Sequence, residues 1–486
     1  MYEDCSLQES KWLILQRLAN KLMDEPCACR RAHVSAQALG SAAFRADHGL
    51  EYAYVAGSMY KGIASQELVV ALGRARMMGY FGTGGLAPTQ VEASLRAIQN
   101  ALGRDGAWGA NLLYNLECPA LEGRLVDLYH ALGVARVEAA GYLRITPSLT
   151  RLRLHNIRRT SQGIETPTRI LAKVSRATLA AQFMQPAPEP IVRHLVDTRA
   201  ITPAEADLAT RLPIADDICV EADSGGHTDR GIALTLLPAI LRLRDATMMR
   251  YGYTRPIRVG AAGGIGTPEA AAAAFVMGAD FILTGSINQC TVEAGTSPAV
   301  KNVLESLDIH DTVHAPAGDL LETGAQVQVV RKGLTFAANA NILYEIYRRY
   351  SSLEELDART LNTLQNTIFR RNVADVWDEV QAHYLRTNPD RLRAIQAHPR
   401  RRMAAILRWY FAYTSTLALQ GSSERPSEYQ IHCGPALGAF NQWVRGTELQ
   451  HWHHRHVSDI GRRLMHATAA LLSGPYSAVA SRSHGA

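Results

Sequence analysis

Long apolar runs are missing from this sequence. None reaches the roughly 18 residues that a spanning helix needs, and the alanine run at 270–274 falls well short of it. Cysteine is sparse: seven are scattered along 486 residues, and Cys27 and Cys29 are the only close pair. A C-x-C without a second pair makes neither a zinc site nor a disulfide framework, so free thiols in a reducing compartment are expected. Charge of one sign is also scarce, with 51 basic against 45 acidic residues. A net charge of +6 is too mild for a nucleic-acid binder, and no RNA- or DNA-reading motif accompanies it. Met1-Tyr2-Glu3-Asp4 is acidic and opens no apolar signal-peptide core, so a cytoplasmic location is expected.

What is present is alternation. From about Ala38, strand-like and helix-like runs take turns, which argues for βα units and a parallel sheet. Strands are expected at 52–56, 78–81, 108–113, 135–139 and 169–174, with three more opening at 219, 259 and 282. Eight strands predict an α/β fold, a (β/α)8 TIM barrel, over 38–335. A helical segment at 1–37 precedes it. A C-terminal helical domain at 336–474 follows, with helices expected at 343–350, 361–379, 403–418 and 460–472. The Ser/Gly-rich tail at 475–486 is expected to be disordered. The connection after the fifth strand is long and proline-broken, at Pro186, Pro188 and Pro190. It reads as a helical lid insertion over the strand ends, 176–213, or as a plain surface excursion.

Glycine marks the ends of the last three strands. Gly225-Gly226, Gly263-Gly264 and Gly285-Ser286 lie on one rim, where backbone can approach a ligand. In barrels the loops after strands seven and eight bind phosphate. Thr267, Pro268 and Gly278 specify a helix whose N-terminus faces that rim. His227 follows the first glycine pair and is the candidate general acid/base. Asp223 either orients it or caps the next helix. Lys173 supplies positive charge to a flavin ring or forms a salt bridge with Glu138 or Glu221. Asn111 bonds a cofactor ring or a neighbouring turn. Gly82-x-Gly84-x-x-Ala87 imitates a dinucleotide fingerprint, but Asp105 is misplaced for a ribose partner, so a tight βα turn is expected. The histidines between His451 and His456 lack a completing ligand and read as a solvated face, with no metal site.

These residues resemble a known family. Ala53-Tyr54-Val55-Ala56-Gly57-Ser58-Met59, Phe81-Gly82-Thr83-Gly84-Gly85, the stretches 215–229 and 260–293, Ala315-Pro316-Ala317-Gly318-Asp319 and 432–448 closely resemble the PfaD family. Its members are trans-acting enoyl reductases of polyunsaturated fatty acid synthases, and of polyketide synthases lacking built-in reductase domains. The resemblance spans about 38–472. More distantly the barrel is similar to FMN-dependent nitronate monooxygenases and to flavin-type bacterial enoyl-carrier-protein reductases. It implies FMN, NADPH and an enoyl thioester on an acyl carrier protein domain. By matching position, Gly57, Ser58 and Met59 would lie along the flavin, with Asn111 and Lys173 near its ring and Gly225 and Gly226 close by. Gly263, Gly264, Gly285 and Ser286 would hold its phosphate, and His227 falls at the catalytic histidine. Ser224 precedes the glycine pair, and Thr228 after the histidine departs from the nitronate pattern, as does the large helical domain. A nitronate monooxygenase-type oxidase and a non-catalytic docking subunit are the alternatives. Oligomeric state is open, with a homodimer as the first guess.

Overall fold

The computed structural model describes residues 33–115, 118–161, 163–226 and 228–474. The expected helical segment at 1–37 falls almost wholly outside these residues, as does the tail at 475–486.

Eight parallel strands close into a barrel: β1 (Tyr54–Ala56), β2 (Met78–Phe81), β3 (Trp108–Leu113), β4 (Arg136–Ala140), β5 (Arg169–Val174), β6 (Asp217–Glu221), β7 (Arg258–Ala262) and β8 (Ile282–Thr284). Each pairs with its neighbours in chain order, and β1 closes on β8 with Val55 opposite Leu283. Period-two alternation sends one side of each strand inward and the other toward the helices. Val55, Met78, Tyr80, Leu171, Cys219, Phe281 and Leu283 make the inner apolar cluster. Two inward glycines make room for its rings. A Cβ on Gly109 would lie 2.4 Å from Tyr80 Cε1, and one on Gly260 would lie 2.3 Å from Phe281 Cε2.

The N-terminal end of the barrel is plugged by the helix Ala42–His48, which Ser41 caps and left-handed Gly49 ends. Phe44 stacks on Phe281 at 4.3 Å. Burying a ring of that size stabilises the fold by about 1.5–3 kcal/mol. Beside it His48 Nε2 lies 2.8 Å from Asp217 Oδ2, and Arg258 bridges Asp217 and Asp47.

The insertion after β5 sits at this same end, which overturns the lid reading. The helix Ala177–Met184 runs back along the barrel, and the helices Glu189–Asp197 and Pro203–Ala209 then pack beside Pro147–Leu154. The chain returns where it left, with the Ile214 N–H bonded to Gln185 O and the Ala215 N–H to Phe183 O. The helices Glu189–Asp197 and Pro203–Ala209 are therefore far from the C-terminal strand ends. Its own small core joins Leu154, Ile157, Leu195, Ile201 and Ala209.

After β8 the chain leaves the barrel. An antiparallel hairpin, β9 (Thr312–Pro316) with β10 (Gln326–Val330), leads into the helices Phe336–Arg349, Val373–Thr387, Pro389–Gln396 and Pro399–Gln420. These share one core, from Ala315 and Val327 through Phe336 and Ile368 to Phe411. The single helix expected at 361–379 is broken, because Arg370 adopts φ 53° and the chain restarts at Val373. From about Ile431 the chain rejoins the barrel core. The last helix, Val457–Leu472, packs on Pro268–Val276 and on Gln66–Arg74, in the position of the eighth barrel helix. Gly461 permits the approach: a Cβ there would lie 3.0 Å from Tyr54 Cε1. The expected boundary at 336 is thus redrawn, since the hairpin packs with the helical region and residues from about 431 pack with the barrel.

Candidate functional site

The C-terminal mouth of the barrel carries a connected set of polar side chains. Lys173 on β5 reaches Glu221 on β6, with Nζ 3.2 Å from Oε2. Glu138 on β4 is fully buried and accepts from the Ser58 hydroxyl at 2.5 Å and the Ser58 N–H at 3.1 Å. Asn111 on β3 donates to the Glu138 backbone oxygen at 3.2 Å. Ser224 donates to Glu221 Oε1 at 3.1 Å and accepts from the Gly226 N–H at 3.2 Å. Burial by itself lowers the proton affinity of Lys173, but the carboxylates of Glu221 and then Glu138 outweigh it and hold the ammonium charged. Lys173 thus forms the ion pair with Glu221, and Asn111 is bonded to the neighbouring strand.

The rim above this set is open where the last two strands end. A Cβ added to Gly264 (φ +76°) or to Gly285 would meet nothing within 4 Å. Gly263 (φ +83°) is tight, because a Cβ there would lie 2.5 Å from Ala222 O. Ser286 Oγ accepts from the Gly434 N–H at 3.0 Å and also hydrogen-bonds the Cys433 thiol. Thr267 caps Pro268–Val276, whose first N–H groups lack helical partners. Room and a helix N-terminus suit an anion.

On the other side of the mouth, Gly57 lies against Leu283, 2.6 Å from where its Cβ would stand. The Gly82-x-Gly84-x-x-Ala87 run serves close packing. A Cβ on Gly82 would stand 1.8 Å from Met59 O, and one on Gly85 2.4 Å from Tyr60 Cζ. A closed barrel leaves no dinucleotide crevice for it. His227 lies outside the described residues. Gly225 is met by protein: its Cβ would stand 2.9 Å from Cys433 N. Among the described residues no group of three His, Cys, Asp or Glu side chains is placed to hold a metal. His451, His453, His454 and His456 are exposed, whereas Trp452 and Arg455 between them are buried.

Sequence reasoning missed the wall that the C-terminal half builds over this rim. Asp223 Oδ2 accepts from Gln328 Nε2 at 2.5 Å and lies 3.0 Å from His314 Nε2, both on the hairpin. The Thr228 hydroxyl donates to Asp223 Oδ1 at 3.2 Å. Asp223 does not cap the following helix, which has Ile232 at its N-cap. His432 Nε2 accepts a hydrogen bond from Gln430 Nε2 at 2.6 Å, and its Nδ1 faces Gly225 O at 3.2 Å. Gln289 Nε2 donates to His432 O at 2.7 Å, tying the same segment to the loop after β8. The stretch 432–448 carried a family signal, but contacts spanning 91 and 207 residues leave no local periodicity to read.

The chain is 51% identical to the polyketide biosynthesis protein PksE of Bacillus subtilis over 91% of its own length, and 46% identical to the polyketide biosynthesis protein ThaF of Burkholderia thailandensis over the same share. It spans 57% of PksE and 38% of ThaF. Among solved structures, the enoyl reductase domain of MlnA from the macrolactin cluster of Bacillus amyloliquefaciens superposes with a TM-score of 0.87. The two are 41% identical, and the match covers 91% of this chain and 99% of that domain. Residues 350–429 match a family described as the inserted helical domain of [acyl-carrier-protein] S-malonyltransferase, which falls within the helical region that has its own core.

Proposed function

Because the chain belongs to the PfaD-like family of enoyl reductases, we propose that it is a trans-acting enoyl reductase. In this reading it uses NADPH and FMN to saturate the 2,3 double bond of enoyl thioesters on acyl carrier protein domains, in polyketide or polyunsaturated fatty acid assembly. The observation that carries the reading is the 41% identity along 99% of the MlnA enoyl reductase domain. The open cradle supports it, because Gly264 and Gly285 leave space where a phosphate needs both room and N–H donors.

FMN fits the residues present. Gly263, Gly264, Gly285 and Ser286 would hold its phosphate; Gly57, Ser58 and Met59 would line one edge of its ring. Asn111, Lys173, Gly225 and Gly226 would complete the surroundings. Bound there, the flavin supplies hydride transfer between nicotinamide and substrate. The chain's own contribution is electrostatic and steric. Lys173, kept cationic by Glu221 and Glu138, offers fixed positive charge at the mouth. The hairpin and the segment from Ile431 wall one side of the rim. His227 remains the candidate for stabilising the enolate oxygen or moving a proton. The absence of a dinucleotide crevice fits a nicotinamide that docks transiently.

The direct test loads a carrier protein with a crotonyl group and incubates it with the enzyme, FMN and NADPH. Mass spectrometry of the intact carrier is expected to show the gain of two hydrogens. An unchanged mass with active, flavin-loaded protein refutes the reductase assignment.

A further inference from the structure

Saturating an enoyl thioester needs a proton as well as a hydride, and the described mouth residues differ in what they can give. His48 is sealed at the opposite end of the barrel against Asp217. His432 spends its Nε2 on Gln430 and its Nδ1 on Gly225 O. The Lys173 ammonium is committed to Glu221 and held above its usual proton affinity, which makes it a poor donor. His314 is placed differently. Its Nε2 lies 3.0 Å from Asp223 Oδ2, and among the described residues no protein group meets its Nδ1. Asp223 is itself fixed by Gln328 at 2.5 Å and Thr228 at 3.2 Å. The His314 side chain is 34% exposed, so a ligand can reach it. It also stands over the reacting end of the barrel: Asp223 lies two residues past Glu221 and two before Gly225, and the Gln328 N–H bonds Ser224 O at 3.4 Å. A carboxylate holding one imidazole nitrogen while the other has no partner among the described residues is the arrangement of an oriented acid/base.

We propose that His314, positioned by Asp223, is the general acid that protonates C2 of the enoyl thioester. This deepens the enoyl reductase reading and rests on it. In the step, a hydride supplied by the cofactor forms the new C–H bond at C3. The π pair of the C2=C3 bond moves toward the thioester carbonyl. It then takes the proton from His314 Nδ1–H to form the C2–H bond, and the N–H pair stays on the ring. Water restores the proton, and no further oxidant or reductant is needed. The acid comes from the hairpin, outside the eight βα units, so the barrel alone lacks it.

The test uses wild-type protein, H314Q and D223N, each purified with flavin. The glutamine amide can still donate to Asp223, so flavin content serves as the folding control. Each is reduced in ²H2O and treated with the pantetheine thioester of trans-2-hexenoic acid. The wild type is expected to give product with deuterium on a single face of C2. H314Q is expected to react about 10²-fold more slowly and to place deuterium on both faces, because solvent then protonates C2. D223N, which changes only the positioning group, is expected to lose facial selectivity with a smaller rate defect. A second readout needs no turnover. In flavin-free protein, the ring-proton NMR signals of His314, assigned by their loss in H314Q, shift when hexanoyl pantetheine is added. Retained rate and facial selectivity in H314Q, or signals that stay in place, overturn the proposal while the reductase reading stands. A wild type that the thioester never reoxidises overturns the reductase reading, and the assignment of His314 falls with it.

Discussion

At the N-terminal end of β6, Asp217 meets Arg258 at 2.5 Å and His48 at 2.8 Å, with no solvent exposure, beneath the stacked rings of Phe44 and Phe281. Four residues along the same strand, Glu221 meets Lys173 at 3.2 Å, and both side chains still touch solvent. Burial would raise the Asp217 carboxyl, but Arg258 and His48 push it down to about 2. The surrounding clefts are lined by further paired charges, Arg258 with Asp47 and Arg153 with Asp216. At the other end, glycines face empty space, and part of the wall comes from residues far along the chain. The comparison teaches that one strand can fix the fold at its start and leave its end free for a ligand.

Breaking the N-terminal end is expected to cost most. Asp217→Ala strands a buried guanidinium and the His48 ring, with an expected loss of about 3–5 kcal/mol. Chemical denaturation measures it, and flavin uptake by the fraction that folds should be near normal. A fully folded variant with unchanged stability would remove the contrast between the two ends.

Gly225→Ala tests the wall. The new Cβ would press on Cys433 N at 2.9 Å. An overpacking loss of about 1–3 kcal/mol is expected, together with faster protease nicking near 431–436, where the segment leaves the rim. Gly285→Ala tests the cradle. Its φ is −129°, and a Cβ there meets nothing, so stability without flavin should change by less than about 0.5 kcal/mol. Flavin affinity, read by fluorescence titration, should fall at least tenfold, about 1.4 kcal/mol. Equal flavin affinity would place the phosphate elsewhere.

The smallest effect expected is in the pH dependence of stability. Burial, with nearby His155 and Arg151, lowers His130 to about 4. A depressed folded value means that its contribution is present above the unfolded value of about 6.5 and is lost as pH falls through about 4. Asp217 adds a second loss, lower still, as pH falls toward about 2. Denaturation midpoints followed from pH 7 to 4 should decline, and His130→Gln should flatten that decline. A parallel decline in both proteins would assign it to other groups.

The barrel was legible because its signals are local. The strands are short runs, several of them ended by glycine, and Thr267-Pro268 reads as a helix start from two adjacent residues. The open glycines at the ends of the last two strands were legible for the same reason. What stayed hidden depends on distance along the chain. The eighth barrel helix arrives at Val457, after a long excursion from Thr284, and looks like any amphipathic helix. The insertion after β5 has the length of a lid, but nothing in it records at which end of the barrel it lies; the Gln185–Ile214 bond decides that. Ser58 gives no sign that it is held by Glu138, 80 residues on. His314 and Asp223 carry no joint motif, and only the folded hairpin brings them together.

The central claim, an open C-terminal mouth that reduces enoyl thioesters, meets its most direct test in an anaerobic absorbance titration. Purified protein is reconstituted with FMN, bleached with NADPH, and then given a trans-2-enoyl thioester on pantetheine or on a carrier protein. Return of the flavin band in step with formation of saturated product is the result expected. A band that stays bleached with both substrates and returns only with oxygen would contradict the claim and point to an oxidase.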